Sequence, residues 1–125
     1  MDDSLLEQFK NYSILCVEDE DGIRKRLVNT LKYYFDDVLE ASNGEDGYDL
    51  YCEYKPNIIL SDIEMPGKNG VEMVSKIREN DLKTIIIMVT AYSNEEYLLD
   101  LINLNINHYI LKPVNADNLL DAITN

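Results

Sequence analysis

The stretch TIIIMV at residues 84–89 is nearly all apolar and rich in β-branched residues, and it stops at Thr90. β-Branched side chains favour an extended strand, and a strand that is apolar on both faces is typical of a parallel sheet covered on both sides. These residues are therefore predicted to form a buried strand of a parallel sheet. The rest of the chain must then supply helices for both faces of that sheet.

Shorter apolar runs lie on either side of this strand and are separated by helical patterns. They predict further strands at residues 13–17, 38–41, 57–61 and 107–111. The strict alternation, (βα)₅, indicates the α/β class, with a doubly wound parallel sheet and right-handed crossovers. The second strand is weak, which suits an edge position and the strand order 2-1-3-4-5.

The helical patterns also predict which side chains face the sheet. The first pattern places these residues on one face: Ile23, Leu27, Leu31, Tyr34 and Phe35. The second starts at the turn Asn43-Gly44 and does the same with Gly47, Leu50, Tyr51 and Tyr54. The fourth helix is predicted to follow Ser93 and to stop at Asn105, which tolerates the left-handed conformation of a C-cap. A short helix that begins near Ser4 precedes the first strand and shows no evident chemistry.

Length and composition are typical of a globular protein with one domain. The chain has 125 residues, of which 46% are hydrophobic, and no apolar stretch approaches the ~20 residues of a membrane span. The amino-terminal sequence MDDSLLEQFK is acidic and unlike a secretion signal. We therefore expect a cytoplasmic domain without a membrane partner. A formal net charge of −13 repels phosphate backbones, so direct nucleic-acid binding by this domain is not expected.

Chemically active side chains stand at the carboxyl ends of four predicted strands. Glu18 and Asp19 follow the first strand, and Asp62 follows the third. Thr90 ends the fourth strand and Lys112 follows the fifth. Sites in open parallel sheets form outside these strand ends. The sequence thus predicts that three carboxylates, a hydroxyl and an amine meet at one edge.

This set of groups suggests phosphoryl transfer assisted by a metal. Three carboxylates in a small space repel one another, and a hard cation such as Mg²⁺ relieves the repulsion while leaving coordination positions for a phosphate oxygen. A carboxylate can act as the nucleophile and form an acyl phosphate. Phosphoryl transfer then needs mainly positioning and neutralisation of charge, which Mg²⁺ and the Lys112 ammonium would supply.

Five segments of the sequence carry a resemblance to a known family. They are VEDE at 17–20, DIEMPG at 62–67, NG at 69–70, TAY at 90–92 and YILKP at 109–113. In this order and at this spacing they resemble the receiver domain of two-component response regulators, the CheY-like family with a flavodoxin-like fold. The resemblance covers roughly residues 12 to 124. It implies one receiver domain over 1–125, with its core at about 12–124 and a short lead-in at 1–11.

The resemblance implies roles for the acidic positions. Asp62 matches the phosphoacceptor, and Asp19 matches the residue that binds Mg²⁺ directly. Glu18 matches its neighbour, which usually acts through water, and here replaces the commoner aspartate. Glu64 matches the position whose backbone carbonyl binds the metal. The implied metal site therefore consists of Glu18, Asp19, Asp62 and the carbonyl of Glu64.

The resemblance also implies how the domain responds to phosphorylation. Thr90 matches the hydroxyl that turns toward the phosphoryl group, and Lys112 matches the amine that pairs with it. Tyr109 matches the aromatic switch whose ring moves inward on activation. Pro113 matches the residue that follows a cis peptide bond, here the bond between Lys112 and Pro113.

The implied function is a regulatory module rather than an enzyme acting on other molecules. The domain would accept a phosphoryl group on Asp62 from a sensor histidine kinase or phosphotransfer protein, and would catalyse only its own phosphorylation and dephosphorylation. Phosphorylation would switch the face formed by the fourth helix, fifth strand and fifth helix of the alternation. That face would bind a downstream effector or a second copy in a homodimer.

Two other functions are compatible with parts of the pattern. A phosphohydrolase of the haloacid-dehalogenase type also uses an aspartate nucleophile and Mg²⁺, but it needs a second aspartate where this chain has Glu64, and a cap domain. A flavodoxin-like electron carrier shares the strand order and acidity. It needs a phosphate-binding loop after the first strand, where the sequence EDED at 18–21 would repel the flavin phosphate.

Overall fold

The computed structural model of the protein describes residues 3–63, 65, 70–90 and 102–124, with side chains from residue 7 onward. The strands are β1 (Ser13–Val17), β2 (Asp37–Ala41), β3 (Ile58–Asp62), β4 (Ile85–Thr90) and β5 (His108–Leu111). They form one sheet in the order β2-β1-β3-β4-β5, and all neighbouring strands are parallel. The predicted α/β fold and strand order are confirmed.

The described residues form five helices around this sheet. They are α1 (Asp3–Lys10), α2 (Asp21–Leu31), α3 (Gly44–Tyr54), α4 (Gly70–Arg78) and α5 (Ala116–Thr124). Most of the helix predicted between Ser93 and Asn105 falls on residues 93–101, which lie outside the described part of the chain. No helix within the described part is both long and apolar enough to span a membrane.

The sheet divides the core into two layers because successive side chains of a strand point to opposite faces. In β1, Ile14 and Cys16 pack with residues of α1, α2 and α5 on one face. Leu15 and Val17 pack with residues of α3 and α4 on the other face. Both faces are therefore covered, and a site on this sheet has to form at the ends of the strands.

Two predicted helix faces need correction. The first was extended too far, because α2 ends at Leu31 and a turn, in which the Phe35 N–H donates to the Leu31 carbonyl, follows. That turn still carries Phe35 into the core, whereas Tyr34 is only partly buried. The second face included Tyr54, which is the last residue of α3 and is 56% exposed.

Two residues other than glycine have positive φ in the described part of the chain. Asn105 has φ 56°, in the left-handed region that was predicted for it. Lys55 has φ 48° and caps α3, with its N–H donating to the Tyr51 carbonyl at 2.8 Å. At the other end of α3, the Asn43 side chain accepts a hydrogen bond from the Asp46 N–H at 2.8 Å. Both ends of α3 are therefore closed by local hydrogen bonds.

The lead-in helix α1 belongs to the core. Phe9 is 5% exposed and stacks on Phe35 with ring centroids 5.8 Å apart. The Lys10 carbonyl accepts a hydrogen bond from the Asp36 N–H at 3.4 Å, which ties the end of α1 to the turn before β2. The sequence predicted this helix but gave no sign that it packs on the end of α2.

Candidate functional site

Backbone hydrogen bonds at the carboxyl ends of the strands fix the main chain of two predicted site residues, Glu18 and Lys112. The Glu18 N–H donates to the Ala41 carbonyl at 3.0 Å, which extends the pairing of β1 with β2 by one residue. The Lys112 N–H donates to the Thr90 carbonyl at 2.8 Å and does the same for β5 and β4. Side chains at these positions therefore start from a backbone fixed by the sheet.

Gly70 starts α4 directly against the end of β3. Its N–H donates to the Ile63 carbonyl at 2.8 Å. A Cβ at this position would collide with the backbone oxygen of Asp62. Any other residue here would push α4 away from the end of β3, so glycine is required for this close approach.

Three predicted carboxylates come together at this edge. One oxygen each from Glu18, Asp19 and Asp62 lies within 4.8 Å of the other two. Glu18 and Asp62 are each 4% exposed, whereas Asp19 is partly exposed to solvent. The convergence predicted from the strand ends is therefore present in the structure for these three residues.

The two oxygens of Asp62 have different surroundings. Oδ2 accepts a hydrogen bond from Lys112 Nζ at 2.7 Å. Oδ1 is buried and has no hydrogen-bond partner among the described residues. Burial by itself lowers the pKa of Lys112, but the hydrogen bond to Asp62 and the nearby carboxylates outweigh it, so that pKa is raised. Lys112 therefore stays charged beside Asp62.

The surroundings of Glu18 disfavour its charged form. Burial raises its pKa to about 7, helped by the hydrogen bond with Asp19 and by repulsion from Asp62. The Glu20 N–H, which donates to Glu18 Oε2 at 3.3 Å, offsets only part of this effect. The raised pKa shows that the site favours additional positive charge.

The arrangement fits a hard divalent cation. The three residues offer carboxylate oxygens, which Mg²⁺ prefers. Asp62 also has a buried oxygen, Oδ1, that lacks a partner among the described residues. A buried polar atom of this kind calls for an explanation. A cation bound by Glu18, Asp19 and Asp62 would supply the missing partner and reduce the repulsion among the three carboxylates.

The predicted switch residues lie on the same face of the sheet. Thr90 pairs with Leu111, and Tyr109 pairs with Met88. Since Met88 and Thr90 are two residues apart in β4, their side chains share a face. Tyr109 is 39% exposed, and partial burial raises its pKa. The Tyr109 ring is thus partly turned to solvent.

The remaining predicted positions are only partly described. The peptide bond between Lys112 and Pro113 is cis. Glu64, the position predicted to offer a backbone carbonyl to the metal, lies outside the described residues.

A cleft of about 470 Å³ opens beside Asp62, between α2 and the segment after β5. Its apolar lining includes Ile23, Leu27, Pro113 and Val114.

Arg24 belongs to the site but was not singled out from the sequence. Its Nη1 donates to the backbone carbonyl of Glu18 at 3.0 Å. An arginine in the first turn of a helix, five positions after Asp19, could have been considered as a group that reaches back to the acidic turn. Sequence alone does not distinguish it from Lys25 and Arg26, which follow it and are exposed.

A family model for the response regulator receiver domain matches residues 14–124. The chain belongs to this family. Receiver domains are the regulatory domains of two-component response regulators, and they interact with kinases and effector domains. Phosphorylation, and binding of Mg²⁺ at an acidic pocket, are typical of the family.

Individual relatives differ in how much of their length this receiver domain spans. The chemotaxis protein CheY of Halobacterium salinarum is 34% identical over 111 residues, which are 89% of this chain and 92% of CheY. The sensory transduction protein LytT of Oceanobacillus iheyensis is 40% identical over 108 residues, which are 83% of this chain but 43% of LytT. The receiver domain therefore corresponds to nearly all of one relative and to less than half of the other.

Solved structures agree with this assignment. A DNA-binding response regulator of the LuxR family from Staphylococcus aureus superposes with a TM-score of 0.83 and 30% sequence identity, covering 90% of this chain and 96% of that one. The family match decides among the three functions that the sequence allowed. A phosphohydrolase of the haloacid-dehalogenase type and a flavodoxin-like electron carrier are not supported.

Proposed function

We propose that this receiver domain takes a phosphoryl group on Asp62 in a reaction that depends on Mg²⁺. The observation that carries the proposal is the asymmetry of the Asp62 carboxylate. One oxygen accepts a hydrogen bond from Lys112, while the other is buried without a partner among the described residues. An oxygen of the same carboxylate lies within 4.8 Å of carboxylate oxygens of Glu18 and Asp19. A buried polar atom left without a partner costs about 1–3 kcal/mol. A reactive role for Asp62 accounts for that cost.

The donor is a phosphohistidine of a sensor histidine kinase or of a phosphotransfer protein. An Asp62 oxygen attacks the phosphorus, the phosphorus–nitrogen bond breaks, and the imidazole leaves with the electron pair and takes up a proton. The product is an acyl phosphate. In dephosphorylation, water attacks the phosphorus and the bond between phosphorus and the Asp62 oxygen breaks. Inorganic phosphate leaves, and Asp62 is again a free carboxylate. The domain thus catalyses only its own phosphorylation and dephosphorylation.

The surrounding residues position the phosphoryl group and neutralise its charge. Glu18, Asp19, Asp62 and the backbone carbonyl of Glu64 would hold Mg²⁺, which stabilises the charge on the phosphoryl oxygens when bound. Lys112 Nζ, already 2.7 Å from Asp62 Oδ2, would donate to one of those oxygens. The Thr90 hydroxyl at the end of β4 would donate to another.

The proposed output uses the face that contains β5 and α5. When Thr90 turns toward the phosphoryl group, space opens on the face of the sheet that it shares with Tyr109, and the Tyr109 ring can move inward. Two exposed apolar side chains lie on β5: Tyr109 (39%) and Leu111 (41%). These support binding of an effector or formation of a homodimer through this face.

Intact mass spectrometry tests the phosphoacceptor. The protein is incubated with Mg²⁺ and a small acyl or amido phosphate, and one phosphoryl group is expected on the wild type and none on Asp62→Asn. Asp117→Asn, an exposed aspartate on α5, is the matched control and should be labelled like the wild type. Comparable labelling of Asp62→Asn would place the nucleophile elsewhere.

Hydrogen exchange tests the switch. With beryllofluoride and Mg²⁺, we expect changed protection at Thr90 and along β5 as well as at the end of β3, because the acyl-phosphate mimic favours the state in which Thr90 and Tyr109 have moved. A change confined to the end of β3 would contradict the coupling between Thr90 and Tyr109.

A further inference from the structure

Arg24, in the first turn of α2, joins three elements next to the acidic edge. Its Nη1 donates to the Glu18 carbonyl at 3.0 Å, its Nε to Glu40 Oε1 at 3.1 Å, and its Nη2 to Asp21 Oδ1 at 2.7 Å. These contacts link the residue after β1 to β2 and to the start of α2. The Arg24 side chain is only 13% exposed, so the guanidinium is held within the protein.

The carbonyl that Arg24 holds belongs to the peptide bond between Glu18 and Asp19. That peptide group is planar, so fixing its oxygen also fixes the N–H and the Cα of Asp19. On the other side, the Glu18 N–H is fixed by the Ala41 carbonyl at 3.0 Å. The backbone that carries both carboxylates is thus held on two sides, once by the sheet and once by Arg24.

We propose that Arg24 is a positioning residue for the cation site: it orients the Glu18–Asp19 peptide so that both carboxylates point toward Asp62. The inference rests on the proposed function, because it concerns the cation that these carboxylates would hold. Arginine suits the task because its rigid planar fork makes several directed hydrogen bonds at once, which a lysine ammonium cannot reproduce.

Charge and geometry predict opposite effects of changing Arg24. Its positive charge repels a cation, so a purely electrostatic role means that Arg24→Met strengthens Mg²⁺ binding. A positioning role means that the same variant weakens binding, because groups that orient metal ligands typically change affinity by about 10-fold or more. Arg24→Lys keeps the charge and removes the fork, so any loss in that variant reports geometry.

The experiment is a Mg²⁺ titration followed by NMR shifts of the amides at residues 18–20 and 62–63. We expect Arg24→Lys and Arg24→Met to bind Mg²⁺ about 10-fold more weakly than the wild type. Lys25→Met removes an exposed positive charge from the next position of α2 and should bind at least as tightly as the wild type. The Asp19 amide should also shift in Arg24→Lys without Mg²⁺, since its peptide plane is no longer held.

Unfolding by urea is measured on each variant so that affinities are compared between folded proteins. If an Arg24 variant does not fold, Glu40→Asp replaces it, because it keeps the charge and withdraws the carboxylate from Arg24 Nε; a smaller weakening is expected there. The inference would be overturned if Arg24→Lys, or Glu40→Asp used in its place, bound Mg²⁺ as tightly as the wild type. Tighter binding by Arg24→Met would overturn it as well. Neither result would contradict the proposed function. A wild type that does not bind Mg²⁺ would instead overturn the proposed function, and the inference with it.

Discussion

Both ends of the sheet hold charged side chains that are buried or partly buried, but the hydrogen bonds to these charges differ. At the amino ends of the strands, Asp81 accepts hydrogen bonds on both oxygens: Oδ1 from the N–H groups of Lys83 and Thr84, at 2.8 and 3.0 Å, and Oδ2 from the hydroxyls of Tyr51 and Thr84. At the carboxyl ends, Asp62 has one bond on Oδ2, and Oδ1 has none within the described residues.

Buried Arg78 extends the network at the amino ends. Its guanidinium donates to the backbone carbonyls of Asp81, Leu104 and Asn105 and to the Asn107 side chain, at 2.9–3.2 Å. It therefore ties the end of α4 to the segment that leads into β5. Because each charged group here has several partners within the protein, this network can hold the fold without a bound ligand.

The pKa shifts follow the same division. Burial would raise the pKa of Asp81, but the hydrogen bonds from Thr84 and Tyr51 outweigh it and hold that pKa well below its usual range. Burial raises the pKa of Glu18 to about 7, and its carboxylate neighbours add to the shift. Folding thus favours the charged form of Asp81 and disfavours that of Glu18. The first pattern stabilises the fold, whereas the second leaves a group of carboxylates that the proposed cation would stabilise.

The largest effect is expected at the amino ends. Asp81→Asn should lower the free energy of unfolding by about 2 kcal/mol at pH 7, because an amide accepts only through one oxygen and the hydrogen bonds to a charged group are lost. Asp117→Asn, exposed on α5, should change it by less than about 0.5 kcal/mol. Urea unfolding of the three proteins measures both differences.

The destabilisation caused by Asp81→Asn should depend on pH. The folded-state pKa of Asp81 is lowered, so its stabilising contribution is complete above the unfolded-state pKa of about 3.9 and is lost as the pH falls through the folded-state pKa. The difference between wild type and Asp81→Asn should therefore shrink from about pH 4 downward. A difference that stays constant to pH 2 would show that the Asp81 charge does not contribute.

A smaller effect of different sign is expected at the carboxyl ends. Without Mg²⁺, Asp19→Asn should leave the free energy of unfolding unchanged or raise it slightly, since it reduces repulsion with Glu18 and Asp62. At a Mg²⁺ concentration of about ten times the dissociation constant, the wild type should gain about 1.4 kcal/mol and Asp19→Asn much less. Destabilisation of the metal-free variant comparable to that of Asp81→Asn would mean that the two ends do not differ as described.

The site could be predicted from sequence because its residues follow the strands directly. Once the apolar runs fix the strands, chain order alone places Glu18, Asp19 and Asp62 at one edge, and parallel pairing brings the strand ends together. The same reasoning predicted β1 with its observed limits and the other strands to within a residue or two. Helix ends were less predictable, because Phe35 reaches the core through a turn that the helical period does not describe.

The network at the amino ends could not be predicted in this way. Tyr51 and Asp81 are 30 residues apart, and Arg78 and Asn107 are 29 apart. Arg78, Asp81 and Asn107 lie in or near loops, and the helical pattern that turns Tyr51 toward the sheet does not indicate its partner. Their contacts depend on how α3, α4 and β4 pack in three dimensions. Arg24 was missed for the same reason, since its hydrogen bonds depend on how α2 is positioned relative to β1 and β2.

The packing of Phe9 on Phe35 bears on how this domain can be transplanted. The family match begins at residue 14, yet the core includes a side chain from α1. A chimera trimmed to the matched residues would uncover Phe35 and give up the burial of a phenylalanine, worth roughly 1.5–3 kcal/mol. The segment that can be moved into another protein without losing stability is therefore longer than residues 14–124, which match the family model. A fusion at the amino end should include α1.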